Sequence, residues 1–112
     1  MAEITEFNIG QGETFKILMT VINDETGVPL NINDQSFSGQ IRENYSTDIL
    51  AGTFNFEKLL PYDSGSIFIS LTPTQTEELS QRKYVYDILM TSGSVTRRIL
   101  EGYMVVRPAA TR

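Results

Sequence analysis

The chain has 112 residues, of which 40% are hydrophobic and 21% charged, and this size and composition are typical of one ordinary globular domain. It contains no cysteine and no histidine, which excludes disulfides and thiolate chemistry and removes the most common general base and metal ligand. The net charge is −5, without a basic cluster or a membrane-length apolar run, so neither nucleic acid nor a membrane is an expected partner.

Short strands separated by turn residues are predicted in the first half of the chain. Residues 1–12 are expected to form an N-terminal arm, because they are polar apart from spaced apolar points that include Phe7 and Ile9. Period-2 alternation then indicates strands in which alternate residues face a core. These strands are predicted over residues 13–22, 28–30, 36–42 and 49–56.

The second half combines one more strand, a short helix and a long hairpin. A strand is predicted over 66–71, and Thr72 followed by Pro73 predicts the start of a helix of about two turns near residues 73–80. Residues 82–107 form two β-rich runs joined by a turn at 91–94, which is the strongest hairpin pattern in the sequence.

These elements predict an all-β fold. About seven short strands with regular turns indicate an antiparallel β-sandwich, immunoglobulin-like or jelly-roll-like. The domain is expected over 13–107, with a C-terminal tail at 108–112. The predicted core consists of Phe15, Ile17, Met19, Phe37, Ile41, Phe54, Ile67 or Phe68, Tyr86, Ile88, Leu100 and Met104.

No catalytic, metal or cofactor site is predicted. Adjacent carboxylates such as Glu77 and Glu78 fall at a helix start, where solvation and capping account for them. A glycosidase needs only two carboxylates, but no feature of the sequence isolates such a pair. We therefore expect a protein that is not an enzyme.

Outward apolar residues instead indicate a protein contact. If the strands pair as predicted, several of these residues share one sheet face, and a contiguous apolar patch on a small domain usually marks an interface. Alternatively, a second, smaller sheet or the N-terminal arm of residues 1–12 covers these apolar residues. Asp87 is expected to face outward beside Arg98 or Arg97, either as a solvated cross-strand ion pair or as an interface salt bridge. The candidate interface consists of Phe7, Ile9, Leu18, Ile22, Asp87, Leu89, Arg98, Ile99 and Tyr103.

The order of several motifs resembles a small β-domain of tailed-bacteriophage structural proteins, which is found in baseplate and tail-fibre-associated proteins and as stand-alone virion proteins. The resemblance covers about residues 11–112. The motifs that carry it are Gln11-Gly12-Glu13-Thr14-Phe15, Tyr84-Val85-Tyr86-Asp87, and Leu100-Glu101-Gly102 followed by Pro108 and Thr111-Arg112.

The resemblance implies a structural role without catalysis. The expected function is that of a tail, baseplate or fibre adaptor, located in the virion and made in the host bacterial cytoplasm. Its expected partners are other phage structural proteins and copies of itself. Related domains often precede long fibre segments, whereas this sequence continues only to Arg112, which favours a connector or decoration protein over a receptor-binding one.

Two alternatives stay open at this point. One is a capsid decoration protein. The other is a carbohydrate-binding module, in which Tyr45, Tyr62 and Phe54 form an aromatic stacking platform.

Overall fold

The computed structural model describes residues 3–23, 25–46, 50–80 and 82–108. Within them the strands and the single α-helix follow one another as β1 (Glu3–Ile4), β2 (Phe7–Gly10), β3 (Phe15–Thr20), β4 (Ser36–Arg42), β5 (Leu50–Thr53), β6 (Asn55–Lys58), β7 (Ser66–Leu71), α1 (Pro73–Glu77), β8 (Lys83–Ser92) and β9 (Val95–Arg107).

The strands form two sheets. Sheet A has the order β1-β9-β8-β4-β5, with β2 also paired to β9, and sheet B has the order β3-β7-β6. Pairing is antiparallel within both sheets, except that β1 and β2 run parallel to β9. The predicted antiparallel β-sandwich with a short helix inside residues 73–80 is confirmed.

One hydrophobic core lies between the sheets. Sheet A contributes the inward residues of β4, β8 and β9, and sheet B contributes Ile67, Ile69 and Leu71 of β7. Phe15, Ile17 and Met19 of β3 pack against this core while remaining partly exposed. Because both inner faces are apolar, each sheet covers a surface that neither could bury alone.

The hairpin forms with the predicted faces. Tyr84, Tyr86, Ile88 and Met90 of β8 are buried, as are Leu100, Met104 and Val106 of β9. The turn contains Gly93, whose φ of 60° is one that glycine adopts readily. A bulge between Ile88 and Leu89 shifts the register, so Ile88 pairs with Leu100 whereas Leu89 pairs with Arg98.

The single strand predicted over 49–56 is wrong. Residue 49 lies outside the described residues, and the rest divides into β5 in sheet A and β6 in sheet B. The chain crosses from one sheet to the other at Phe54, which is buried. Both inner faces point at the same core, so the alternation of inward residues continues through the crossing and hides it in the sequence.

The predicted arm contributes strands to the sandwich. β2 pairs with the last residues of β9, from Met104 to Arg107, and Thr5 N donates to Glu101 O at 2.9 Å between β1 and β2. Residues 1–2 of the predicted arm and residues 109–112 of the predicted tail lie outside the described part of the chain.

The helix α1 begins with the capping pattern that the sequence predicts. Gln75 N donates to Thr72 Oγ1 at 3.2 Å, and Thr72 N donates to Gln75 Oε1 at 2.8 Å. Pro73 occupies the first turn, where its missing N–H has no cost. The cap places α1 between β7 and the start of β8.

Candidate protein interface

The candidate interface residues fall on separate parts of the molecule. Phe7 and Ile9 are only 9% and 3% exposed and belong to the core, so their prediction as surface residues is wrong. The physical reason is that β2 pairs with β9, which turns both side chains inward. The Phe7 ring lies 4.8 Å from the Tyr86 ring and 5.1 Å from the Phe15 ring, measured between centroids.

Leu18 and Leu89 do not share a face, which corrects the prediction of one common apolar surface. Leu18 is 59% exposed on the outer side of sheet B, where it pairs with Phe68. Leu89 is partly exposed on β8 in sheet A. The two outer faces of a sandwich point in opposite directions, so one flat partner surface does not cover both residues.

Four of the candidate residues do come together on the outer face of sheet A. Asp87 and Leu89 alternate with the buried residues of β8, and Arg98 pairs with Leu89 across the hairpin. Tyr103 follows on β9 and is 45% exposed. The outer surface of sheet A around these four residues, Asp87, Leu89, Arg98 and Tyr103, is called the sheet A face below.

Ion pairs order the centre of the sheet A face. Arg98 Nε lies 3.4 Å from Asp87 Oδ2, and Arg98 Nη1 lies 3.5 Å from Glu101 Oε2. The prediction that Asp87 faces outward beside an arginine is therefore confirmed. Both carboxylates are mostly shielded and the arginine is half exposed, so the guanidinium lies between two carboxylates while remaining accessible.

Aromatic side chains flank these charges. Lys83 Nζ lies 4.1 Å from the centroid of the Tyr103 ring, a cation–π distance. Tyr45 borders a shallow cavity of about 180 Å³ on the same face. Its partial burial, with the nearby Glu101 carboxylate as the next cause, raises the pKa of the Tyr45 hydroxyl above its usual value. The cavity is lined by Gln40, Arg42, Tyr45, Val85, Tyr86, Asp87 and Arg98.

The aromatic platform considered for carbohydrate binding does not form. Phe54 is 6% exposed and lies in the core, where its ring is 5.8 Å from that of Tyr86. Tyr62 is in a 3-10 turn and packs against the core. Tyr45 alone of the three is an exposed aromatic on the surface, so no shared stacking surface results.

A groove opens between the sheets at the end where the hairpin extends past sheet B. Its volume is about 720 Å³, and the candidate residues Ile22 and Ile99 both line it. Met19, Val21, Leu30 and Met90 supply further apolar surface. Ile22 is exposed, whereas Ile99 is partly buried against the core, so these two belong to a different surface from the sheet A face.

Several surface residues escaped the sequence prediction. Val95 is exposed at the groove just after the hairpin turn, and Arg97 stands beside it on β9. Tyr45, predicted only as part of a carbohydrate-stacking platform, lines the cavity beside Asp87 and Arg98. The position of Arg97 could have been predicted from the hairpin, because residues that pair across two strands lie on the same face and Arg97 pairs with Met90. No local pattern places the Tyr45 loop against a sheet.

Within the described residues, no group of three or more histidine, cysteine, aspartate or glutamate side chains is arranged to hold a metal ion. In the same residues, no helix has the length and apolar character needed to cross a membrane.

Comparison with known proteins finds no matching family model and no matching curated protein. Among solved structures, the chain is similar to the N-terminal Ig1-2 module of the Drosophila receptor protein tyrosine phosphatase DLAR, with 8% identity and a TM-score of 0.47. That match covers 95% of this chain and 46% of the other, so the chain spans less than half of that module. A second similar structure is the extracellular fragment, including the stalk region, of novel immune-type receptor 11 from Ictalurus punctatus. It has 11% identity and a TM-score of 0.44, and the match covers 100% of this chain and 90% of the other.

Proposed function

We propose that this chain is a non-enzymatic structural protein of a bacteriophage virion, which connects parts of the tail or baseplate through symmetric protein–protein contacts. The sequence resemblance to tailed-phage structural domains supports the virion role. The observation that carries the contact role is the sheet A face, where Leu89 and Tyr103 lie on the same side of the sheet as the Asp87–Arg98 ion pair.

The sheet A face has the physical character of a contact surface. Tyrosine and arginine are enriched in protein interfaces, because one side chain supplies both apolar area and hydrogen bonds. Arg98 already lies between Asp87 and Glu101, so its side chain would lose little further conformational freedom when a partner binds. Fixed charges at such a surface set the orientation of the partner more than the strength of binding.

The absence of enzymatic activity is part of the same proposal. The sequence lacks histidine and cysteine, so general-base and nucleophilic catalysis would depend on carboxylates, lysines or hydroxyls. The carboxylates of the sheet A face are engaged by Arg98, which suits them to positioning rather than to proton transfer.

Particle incorporation tests this proposal. Purified particles of the phage that encodes the chain are expected to contain it, at a copy number that matches the symmetry of the tail, when measured by quantitative mass spectrometry. Its absence from the particles, or turnover of a substrate by the purified protein, would contradict the virion role.

A matched pair of variants tests the contact surface. Leu89→Asp places a carboxylate beside Arg98 on an outer strand position, so the domain is expected to stay folded while incorporation falls at least tenfold, about the effect of one lost central contact. Leu18→Asp makes the same change on the outer face of sheet B and is expected to incorporate normally. Circular dichroism checks folding, and equal incorporation of both variants would reject the sheet A face.

A further inference from the structure

The edge of sheet B formed by β3 has open hydrogen-bonding positions. β3 is the terminal strand of that sheet and pairs only with β7 among the described strands. Just past β3, Val21 N donates to Gly65 O at 2.8 Å, so the backbone N–H of Val21 points toward the β7 side of the strand. Antiparallel pairs alternate in the side to which their backbone groups point. The N–H and C=O groups of Lys16, Leu18 and Thr20 therefore point away from β7.

The usual protection of an edge strand is weak on β3. The strand has six residues and no proline, and Lys16 is its single charged residue. Lys16 Nζ lies 4.2 Å from the centroid of the Phe68 ring on β7, so the charge leans toward the sheet and away from its edge. An exposed, regular edge of this kind is a template for an added strand.

The groove described above lies next to this edge. Met19 and Thr20 of β3 form one wall, and Val95, Arg97 and Ile99 of β9 form the other. Its volume of about 720 Å³ lies in the range of ~300–1,000 Å³ that is typical of ligand sites. An added strand would lie about 4.8 Å from β3 in the plane of sheet B, so its inward side chains would enter the groove.

The first part of β9 is the other free strand edge in the groove. β1 pairs with β9 from Leu100 onward, which leaves Val95–Arg98 paired only with β8 among the described strands, and the bulge skips Ile99 in that pairing. The bulge at Ile99 makes the ladder irregular there, so the regular edge of β3 is the better template.

Charge indicates the chemistry of the occupant. Arg97 pairs with Met90, whose side chain faces inward, so the guanidinium projects over the groove. Unlike Arg98, it has no ion pair with any described residue. The side-chain oxygen of Gln35, which also lines the groove, is buried without a hydrogen-bond partner in the described structure. A carboxylate would pair with Arg97, and a donor would satisfy Gln35. Glu25 also lines the groove and would repel a carboxylate, so the acidic residue of a bound segment should lie near Arg97 and away from Glu25.

We infer that the groove binds an extended, acidic segment of another protein, which adds to β3 as a fourth strand of sheet B. Its backbone would pair with Lys16, Leu18 and Thr20, its apolar residues would cover Val95 and Ile99, and one carboxylate would meet Arg97. This surface shares only Arg98 with the residues that define the sheet A face, so the inference goes beyond the proposed function and does not depend on a place in the virion.

A peptide-binding experiment on the full chain tests the inference. The probe is a synthetic, fluorescein-labelled peptide of alternating valine and glutamate, with binding followed by fluorescence anisotropy. Arg97→Gln is expected to weaken binding about tenfold or more, the size of one charge-assisted hydrogen bond. Arg107→Gln, at the far end of β9, is the matched control and is expected to leave binding unchanged. Equal loss or equal retention in both variants would overturn the assignment of Arg97.

Two further peptides separate strand addition from charge attraction. A valine–lysine peptide is expected not to bind, and a valine–glutamate peptide with N-methylated amides is expected to lose binding although its charge is the same. Amide exchange by NMR should show protection of Lys16, Leu18 and Thr20 only with the unmodified acidic peptide. Equal binding of the N-methylated peptide, no binding of the acidic probe, or a self-associated chain from which the probe displaces a second copy would each overturn the inference.

Discussion

Gly102 shows how a single position lets the two ends of the described chain meet. It pairs with Tyr86 on the inner side of β9, and the backbone of Thr5 passes directly over it. Tyr86 Oη donates to Thr5 O at 2.6 Å, and Thr5 N donates to Glu101 O at 2.9 Å. A Cβ atom at position 102 would collide with the Thr5 carbonyl, so glycine is required for the close approach of the backbone.

Gly102→Ala is expected to destabilise the fold by about 1–3 kcal/mol, the usual cost of overpacking, because Thr5 must move away from β9. Urea unfolding followed by circular dichroism measures the loss. Gly52→Ala is the control: its added Cβ would meet Ile41 and Leu79 at ordinary distances of 3.7 and 3.8 Å. The control should stay within about 1 kcal/mol of the parent protein. Equal losses for the two variants would contradict this role of Gly102.

At this scale the sequence predicted which side a residue faces, but not what lies against it. Alternation placed Gly102 with Leu100 and Met104 on one face of β9, and the structure confirms that face as buried. The same alternation gave no sign that backbone from the start of the chain, and not a side chain, occupies the space above Gly102. That contact joins residues nearly a hundred positions apart, and local periodicity carries no information about it.

The helix α1 holds the connection between β2 and β3 in place. Thr76 is fully buried, and its Oγ1 donates to Glu13 O at 2.8 Å and to Pro73 O at 3.1 Å. Gln11 Nε2 donates to Leu79 O at 2.6 Å just beyond the helix. These two side-chain hydrogen bonds thus join the β2–β3 connection to α1 and the residues after it, one satisfying the carbonyl of Glu13 and the other that of Leu79, and they fix where β3 begins.

Thr76→Val keeps the shape of the side chain but removes its donor. The change is expected to lower the free energy of unfolding by about 0.5–1.5 kcal/mol, the usual net contribution of one hydrogen bond, because the partly buried bond to the carbonyl of Glu13 is lost. Differential scanning calorimetry measures the change, and Thr76→Ser, which keeps the hydroxyl, serves as the control. A valine variant at least as stable as the serine variant would show that the hydrogen bond to Glu13 contributes nothing.

Element prediction succeeded where the pattern is local. The strand over 36–42 and the helix cap at Thr72 follow from neighbouring residues, and both form as predicted. The strand over 49–56 failed because crossing between sheets leaves the inward alternation unchanged. The prediction that several outward apolar residues share one sheet face failed for a related reason. Period-2 patterns assign residues to a face but do not say which sheet the face belongs to.

The whole molecule has one core to which both sheets contribute. Buried residues from β2, β4, β7, β8 and β9 form a single cluster, and no second cluster is present among the described residues. Strand order departs from chain order in sheet A, because β1 and β2 lie beside β9. A core assembled from distant segments cannot be divided without exposing apolar surface on both parts, which favours cooperative unfolding.

Heating or urea is therefore expected to unfold the protein in one two-state transition, with β2 released together with the hairpin. Tyrosine fluorescence, to which Tyr84 and Tyr86 in the core contribute, should change together with far-ultraviolet circular dichroism. Calorimetric and van't Hoff enthalpies should agree. An earlier transition confined to residues 3–10, detected by amide exchange, would contradict a single cooperative unit.

The parallel pairing of β2 with β9 also has a consequence during synthesis. Phe7 and Ile9 are synthesised well before the strand that covers them, which is completed at Arg107. Until that strand emerges, both side chains lack their final neighbours, and such contacts between distant segments form slowly. The nascent chain therefore exposes an apolar segment that a chaperone would be well placed to shield until β9 is made.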